Sequence, residues 1–377
     1  MKKILVAADM TTHPCIGGNN QCVMQYIEIL RRLGFDVYYL LIGTQELSQT
    51  AIHSTKNYWG DHLFFYRTPW WQTFFQKIYK RLTIQAYPDN VDFYYPLGLT
   101  RYVNRMHNNL HFTGLIVNYI WESRLAGCNI PIKAIYTHDV FAYRNERMAA
   151  GTNWHHHSVA QEAKAVRRFQ HILAIQDVER DYFKYLSPKS NVISVYSSFS
   201  FVDQPIRCNR NILFFSGGGD LNLSAIRGFI TDIFPQIVEY DNSIQLLIGG
   251  NICFYLSDIE GQDNIELLGR YDNPDDFYLL GDVVINPVYE GSGLKIKTFE
   301  AIAHGKVTIV HPHSQIGIYH PDIAPLTIAQ SADDYISAIK YYMINQERLA
   351  DNKHDCQSYI CQLNTYIETQ YNNIFNR

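Results

Sequence analysis

The sequence predicts an α/β protein of two Rossmann-like domains facing across a cleft, and three observations predict it. The chain has 377 residues and is 47% hydrophobic, which is long for one domain. A strand, glycine loop and helix open the chain at Lys3, and the same series restarts at Asn211. Between the two, Tyr196 to Arg210 is rich in serine and scattered charge, carries Pro205 and reads as a linker. The expected domains are therefore residues 1–200 and 201–355. Residues 356–377 are expected to form a C-terminal helix, with packing back on the first domain as one arrangement open to it.

The first domain opens with Lys3 to Ala8, an apolar run suited to a parallel strand buried on both faces. The loop Asp9 to Asn20 follows, carrying Gly17 and Gly18. Val23, Tyr26, Ile27, Leu30 and Leu33 then mark a helical stripe over Gln21 to Leu33, closed by Gly34. Strands are expected at Val37–Ile42, Leu63–Tyr66, Leu115–Tyr119, Ala134–Thr137, Ile172–Ile175 and Val192–Val195. Ser158 and Gln161 read as a capping box opening a helix to Phe169. The second domain should contain strands Asn211–Ser216, Gln245–Ile248, Ile265–Leu268, Val283–Ile285 and Val307–Val310. Its first helix should run from Leu223 to Tyr240, and the helical C-terminal stretch should break near Asp351.

Composition excludes several classes of function. A formal net charge of -4 offers no basic field for nucleic acid. Seven cysteines without a CxxC pair argue against a disulfide framework or a zinc knuckle. No apolar run reaches 18 residues, and the N-terminal apolar stretch is short for a signal peptide. A cytoplasmic protein is expected, with peripheral attachment to the inner face of a membrane as the open alternative. A periplasmic sugar-binding protein, also two-domain α/β, is disfavoured by the absent export signal.

The strongest local signal is the segment Asn286 to Gly305. A strand ends at Asn286, the loop through Glu290, Gly291, Ser292, Gly293 and Leu294 follows, and a helix carries Lys295, Lys297 and Glu300 near its start. Amides and lysines at the carboxyl edge of a parallel sheet suit a diphosphate, and a carboxylate suits ribose hydroxyls. The loop Gly217, Gly218 and Gly219 after another strand reads equally as a simple tight turn or as a place for close approach of phosphate. His155, His156 and His157 look like a metal run. Consecutive side chains diverge, however, and no carboxylate cluster accompanies them, so a surface loop is the better reading.

The segment Gly293-Leu-Lys-Ile-Lys297-Thr-Phe-Glu300-Ala-Ile-Ala-His-Gly-Lys306 resembles the donor-binding motif of retaining GT-B glycosyltransferases, family 4 (glycosyl transferases group 1). The resemblance extends over most of residues 1–320. It takes in Leu268-Gly-Arg270-Tyr271, which in the family lies against the nucleotide base, and Gly281 to Pro287, which leads into the donor loop. It also takes in Gly17-Gly18, Ile135 to Asn145, and the stretch from Glu162-Ala to Ala174-Ile175-Gln-Asp. It implies a sugar moved from a nucleotide-sugar to a glycan, glycolipid or other acceptor, with retention, without metal or cofactor. Glu300 would hold the donor ribose, and Gly291, Ser292 and Gly293 would reach sugar and diphosphate.

Two departures from the family pattern stand out. The motif's first glutamate falls at Ser292, so Glu290 takes that role with a shift or nothing does. The basic pair expected after the second domain's first strand is missing from Ser216 to Asp220, which leaves Lys295 or Lys297, preferably Lys297, to neutralise the diphosphate. His138 would contact the donor, and Asp139 would orient that imidazole or accept a proton. The pair His311 and His313 follows a strand near the expected donor site. The acceptor side would lie near Gly17, Gly18 and His138. The same fold also serves nucleotide-sugar 2-epimerases, and an inactive transferase-like subunit of a polysaccharide assembly is the non-enzyme alternative.

Trp70, Trp71, Phe74, Phe75, Lys77, Lys80 and Arg81 form a basic, aromatic stretch in the first domain. A packed helix with solvated cations is the better reading, and a membrane-facing helix approaching a lipid-linked acceptor is the alternative.

Overall fold

The computed structural model describes residues 1–15, 18–43, 47–83, 89–144, 157–291 and 293–376. It divides into two compact units, residues 1–198 with 366–377 and residues 199–365. Among the described residues the first unit holds seven strands. They are β1 (Lys3–Ala8), β2 (Asp36–Gly43), β3 (Leu63–Arg67), β4 (Gly114–Asn118), β5 (Ile132–Tyr136), β6 (His171–Ala174) and β7 (Asn191–Ser194). All neighbours pair parallel in the order β3-β2-β1-β4-β5-β6-β7. β1 is central, with Ile4 opposite both Val37 and Gly114. Its residues Ile4 to Ala8 are fully buried, as an apolar run covered on both faces requires.

The second unit repeats the scheme with β8 (Asn211–Phe215), β9 (Gln245–Gly249), β10 (Ile265–Gly269), β11 (Val283–Asn286), β12 (Val307–Val310) and β13 (Leu326–Ile328). The order is β10-β9-β8-β11-β12-β13, again parallel throughout. In each sheet the order reverses beside the first strand, between β1 and β4 and between β8 and β11. Open α/β sheets bind ligands at that crevice, outside the carboxyl ends of the strands.

Several expected boundaries shift for identifiable reasons. The helix expected from Leu223 to Tyr240 is two helices, Asp220–Gly228 and Phe234–Tyr240, joined by a wide π-turn over Phe229–Ile233. Pro235 lacks the N–H that would bond to the turn before it, so the ladder loosens there. The C-terminal break lies at Met343 to Asn345 rather than near Asp351, with Ile344 at φ +58°. The Asn345 side chain accepts from the Arg348 amide at 3.1 Å, and the helix Gln346–Phe375 then runs unbroken. Ser158 caps its helix by accepting from the Gln161 amide, and the helix ends at Val166. The Gln161 side chain does not complete the box, because its Oε1 accepts from the Val91 amide instead. The three-residue edge strand β13 was too short to read from periodicity.

Two further corrections concern the first unit. His157 is buried and pairs its backbone with that of Phe141, so it is no surface-loop residue. His155 and His156 lie outside the described residues. The stretch from Trp70 forms the expected helix, Trp70–Thr83, but its rings are exposed rather than packed. No described helix is long and apolar enough to cross a membrane. All seven cysteines are free thiols.

The last turns of the C-terminal helix complete the first sheet. The Phe375 ring is fully buried and lies where a Cβ on Gly114 would fall within 2.6 Å of it. Lys2 Nζ donates to the Phe375 carbonyl at 3.1 Å, and Tyr371 stacks on Tyr26 at 6.1 Å. Phe375→Ala is expected to cost the first unit about 3–5 kcal/mol, the range for emptying an aromatic site. Thermal melting checks this, and an unchanged melting profile would show the contact to be dispensable.

Candidate functional site

The second unit gathers its chemistry at the β8/β11 edge. Two loops meet there, Ser216 to Gly219 after β8 and Pro287 to Lys295 after β11. The second loop folds onto the helix Asp220–Gly228, because Tyr289 Oη bonds to Ser224 Oγ at 2.6 Å. The Leu221 side chain would lie 3.1 Å from a Cβ on Gly291. Gly291 and Gly293 adopt φ of +118° and +84°, which L side chains rarely reach, so these two glycines are conformationally required. Ser292 lies outside the described residues. Leu294 is half-buried and Glu290 is exposed. Gly218 faces the Tyr255 ring, which a Cβ there would strike at 2.1 Å, while Gly217 has open space around it.

Beyond the loop, Lys295 stands at the N-cap of the helix Ile296–Ala303, and Glu300 lies in its second turn rather than near its start. The helix dipole at the first turn therefore does not account for Glu300. His304 fixes this helix. Its Nδ1 lies 2.7 Å from the Glu300 carbonyl, its Nε2 lies 2.9 Å from Asp275 Oδ1, and its ring stacks on buried Tyr278 at 4.1 Å. Asn286 Nδ2 donates to Thr298 Oγ1 at 3.0 Å, tying the end of β11 to the same helix.

The two lysines differ in their company. Lys297 Nζ donates to Asn222 Oδ1 on the helix Asp220–Gly228, and so stands at the strand-order reversal itself. Lys295 Nζ donates to the Gly291 carbonyl at 3.4 Å, within its own loop. His313 Nε2 lies 2.9 Å from that carbonyl, close enough to donate its N–H, and His311 Nδ1 accepts from the His313 amide. The histidine pair thus braces the loop after β11. Burial pushes Lys297 down to about 8, with Lys295 adding to the shift, and pushes Lys295 down as well. Burial pushes Glu300 up to about 7 against the attraction of Lys297. Among the described residues, the Glu300 carboxyl makes no hydrogen bond or salt bridge. Arg270 is exposed and 3.6 Å from Asp272, and Tyr271 packs edge-on against Phe277. Both follow β10, two strands from the reversal, or about 10 Å at sheet spacing.

In the first unit the corresponding edge holds a connected aromatic and amide cluster. Asn118 ends β4, and its Nδ2 donates to the Ala7 carbonyl at 3.1 Å. That orients Oδ1 to accept from Tyr26 at 3.0 Å and from His138 Nε2 at 2.9 Å. His138 is therefore protonated on Nε2, which leaves Nδ1 as its acceptor. Burial pushes its pKa down to about 3, so the ring is neutral. Tyr119 and His138 hold φ of +68° and +63° at the ends of adjacent strands, and their rings stack at 4.2 Å. Such backbone strain in non-glycine residues concentrates at functional sites.

Asp139 does not orient His138. It pairs with Arg144 at 3.2 Å and accepts from the Val140 amide, while the imidazole bonds to Asn118. Gly18 begins the helix Gly18–Arg32, and Gly17 lies outside the described residues. Sequence reasoning missed Asp9, at the end of β1. Its Oδ2 accepts from Trp121 Nε1 at 2.8 Å, and burial pushes it up to about 6. It missed Asn222, in the first turn of its helix, and Tyr289 and His304, whose only signal was their place just beyond a strand or helix end. No group of three or more metal-ligating side chains occurs among the described residues.

Residues 209–344 match the family model described as Glycosyl transferases group 1. No curated protein matches the chain. Among solved structures, the chain resembles TarM at 11% identity, covering 100% of this chain and 99% of that one, with a TM-score of 0.68. The structure of Anabaena HepE in complex with UDP gives 12% identity, 99% coverage of both chains and a TM-score of 0.63. The sucrose-phosphate synthase of Thermosynechococcus elongatus gives 14% identity, 100% and 98% coverage and a TM-score of 0.64. These likenesses show the fold, two Rossmann-like units of the GT-B kind.

The Glu300 carboxyl generates a test. Between its ordinary value of 4.5 and about 7, the folded protein holds a proton there that the unfolded chain releases. Stability is therefore lost as pH rises through that window. Glu300→Gln should resist urea better than wild type at pH 8, and the gain should vanish near pH 4.5. Wild type and variant tracking each other throughout would show a well-solvated carboxyl.

Proposed function

We propose that the chain is a retaining glycosyltransferase that takes a sugar from a nucleotide-sugar bound to the second unit. The observation that carries this reading is Glu300, a half-buried carboxyl that makes no hydrogen bond or salt bridge among the described residues, near Lys297 at the β8/β11 reversal. A ribose presents two hydroxyls that such a carboxylate accepts, and binding them offsets the cost of its burial. The family match over residues 209–344 supports the same reading. HepE was solved with UDP and with UDP-glucose, which makes UDP-sugars the first donors to try.

In this reading the diphosphate lies against Gly217 to Gly219 and the N-terminus of the helix Asp220–Gly228, where free amides favour an anion. Lys297 supplies the positive charge that the segment Ser216 to Asp220 lacks. Charge grows on the diphosphate as the bond to the sugar breaks, and these groups are already aimed at it. Gly291, Ser292 and Gly293 approach the sugar, and Glu290 remains the second acid of the loop. Arg270 and Tyr271 lie on the base side. His138, neutral and accepting through Nδ1, contacts a sugar hydroxyl on the first unit, where Gly17 and Gly18 border the acceptor. No metal or cofactor takes part, and a glycan or lipid-linked glycan receives the sugar.

Calorimetry with UDP-sugars tests the donor site. Glu300→Gln should weaken binding by about 1–3 kcal/mol while the fold is kept. Near pH 8 a bound diphosphate should recharge Lys297, so binding should take up protons in wild type and not in Lys297→Ala. Equal behaviour of Lys297→Ala and Lys295→Ala would sink the assignment of the diphosphate to Lys297. Turnover should survive chelation by EDTA, and loss restored by Mg²⁺ or Mn²⁺ would refute a metal-free reaction. Conversion of UDP-sugar without acceptor would instead reveal an epimerase, and binding without any turnover an inactive subunit.

A further inference from the structure

The helix Trp70–Thr83 is turned inside out for a helix on an aqueous surface. Its buried face is polar: Gln72 donates to the Tyr95 carbonyl at 2.8 Å and accepts from the Leu97 amide at 2.9 Å. One turn on, Gln76 donates to the Phe93 carbonyl at 2.8 Å. These bonds fix the rotation of the helix about its axis. What they turn outward is apolar, with Trp70 76% exposed, Phe74 54%, Phe75 63% and Leu82 77%. Trp71 and Ile78 lie on the same side, and Leu97, held by Gln72, extends the patch. Monomeric proteins rarely leave so contiguous an apolar face in water.

Charge identifies what covers it. From Leu63 to Pro88 the sequence contains no Asp or Glu, but it contains Arg67, Lys77, Lys80 and Arg81. Lys77 and Arg81 are exposed on the helix that carries the rings. A second copy seated on this face would bring the two cationic sets together, whereas an anionic lipid surface complements them. Rings of Trp and Phe flanked by cations suit the headgroup layer, where the apolar body inserts and the charge meets phosphate. We propose that this helix lies flat in the surface of an anionic bilayer, with Trp70, Phe74, Phe75 and Leu82 inserted. The inference rests on the first unit alone and does not depend on the donor reading.

The test uses the full chain with phosphatidylcholine vesicles, with and without phosphatidylglycerol. Wild type should co-sediment with the anionic vesicles at low salt, with a blue shift in tryptophan emission, and should leave them at high salt. Lys77→Glu with Arg81→Glu should lower the partition coefficient about tenfold or more. Phe74→Ser with Phe75→Ser should abolish the blue shift. All four positions are exposed, so circular dichroism and melting should match wild type and confirm intact folding. Failure of wild type to bind anionic vesicles overturns the proposal, as does equal binding by the charge-reversed variant. A concentration-dependent dimer, abolished by the Phe74 and Phe75 changes in the absence of vesicle binding, would assign the face to a second copy.

Discussion

A parallel sheet buried on both faces sends every strand end in the same direction, and the rest of this structure depends on that constraint. Covered strands are largely apolar, as Ile4 to Ala8 are, so they have little room for chemistry. Polar groups collect instead where the chain leaves the sheet. Asp9, Asn118, Tyr119 and His138 lie at or just past the ends of β1, β4 and β5. Ser216, Asn286 and the loop through Gly291 do the same at β8 and β11. Two stretches far apart in sequence, such as Asn222 and Lys297, meet because their strands are neighbours.

Burial at the strand ends works against isolated full charges. In the second unit, burial drives the Glu300 carboxyl toward its protonated form and the Lys297 amine toward its neutral form. In the first unit it drives Asp9 and Glu122 toward protonation and His138 toward neutrality. Each shift lowers the cost of removing a charge from water. A ligand bringing hydroxyls and phosphate supplies what water no longer does.

Much of the fold was legible because strand and helix periods are local. The apolar runs marked twelve of the strands, and β13, three residues long, left no period to detect. Glu300, Lys297 and the glycine loop were legible because they sit in one continuous segment whose order resembles a known family. The partner of His138 was not. Adjacent Asp139 was the natural guess, but the imidazole reaches across to Asn118 on β4, a pairing set by strand register. The outward turn of the helix Trp70–Thr83 was equally hidden. A pattern of rings and glutamines gives two faces, and the acceptors and amides offered by Phe93, Tyr95 and Leu97 decide which one is buried.

The chain's two ends close on one sheet, where the Phe375 carbonyl accepts from Lys2 and its ring covers Gly114. β1 to β7 precede the second unit in the chain, whereas the residues that seal their sheet follow it. The second unit is encoded between, as an insertion within the first, and is complete in sequence before Tyr366 to Phe375 follow. Without Tyr366 to Phe375 in place, the sheet face at Gly114 lacks the buried ring that covers it. Closing the first unit therefore requires a segment that lies beyond the whole of the second, and its assembly depends on contacts as far apart in sequence as Lys2 and Phe375.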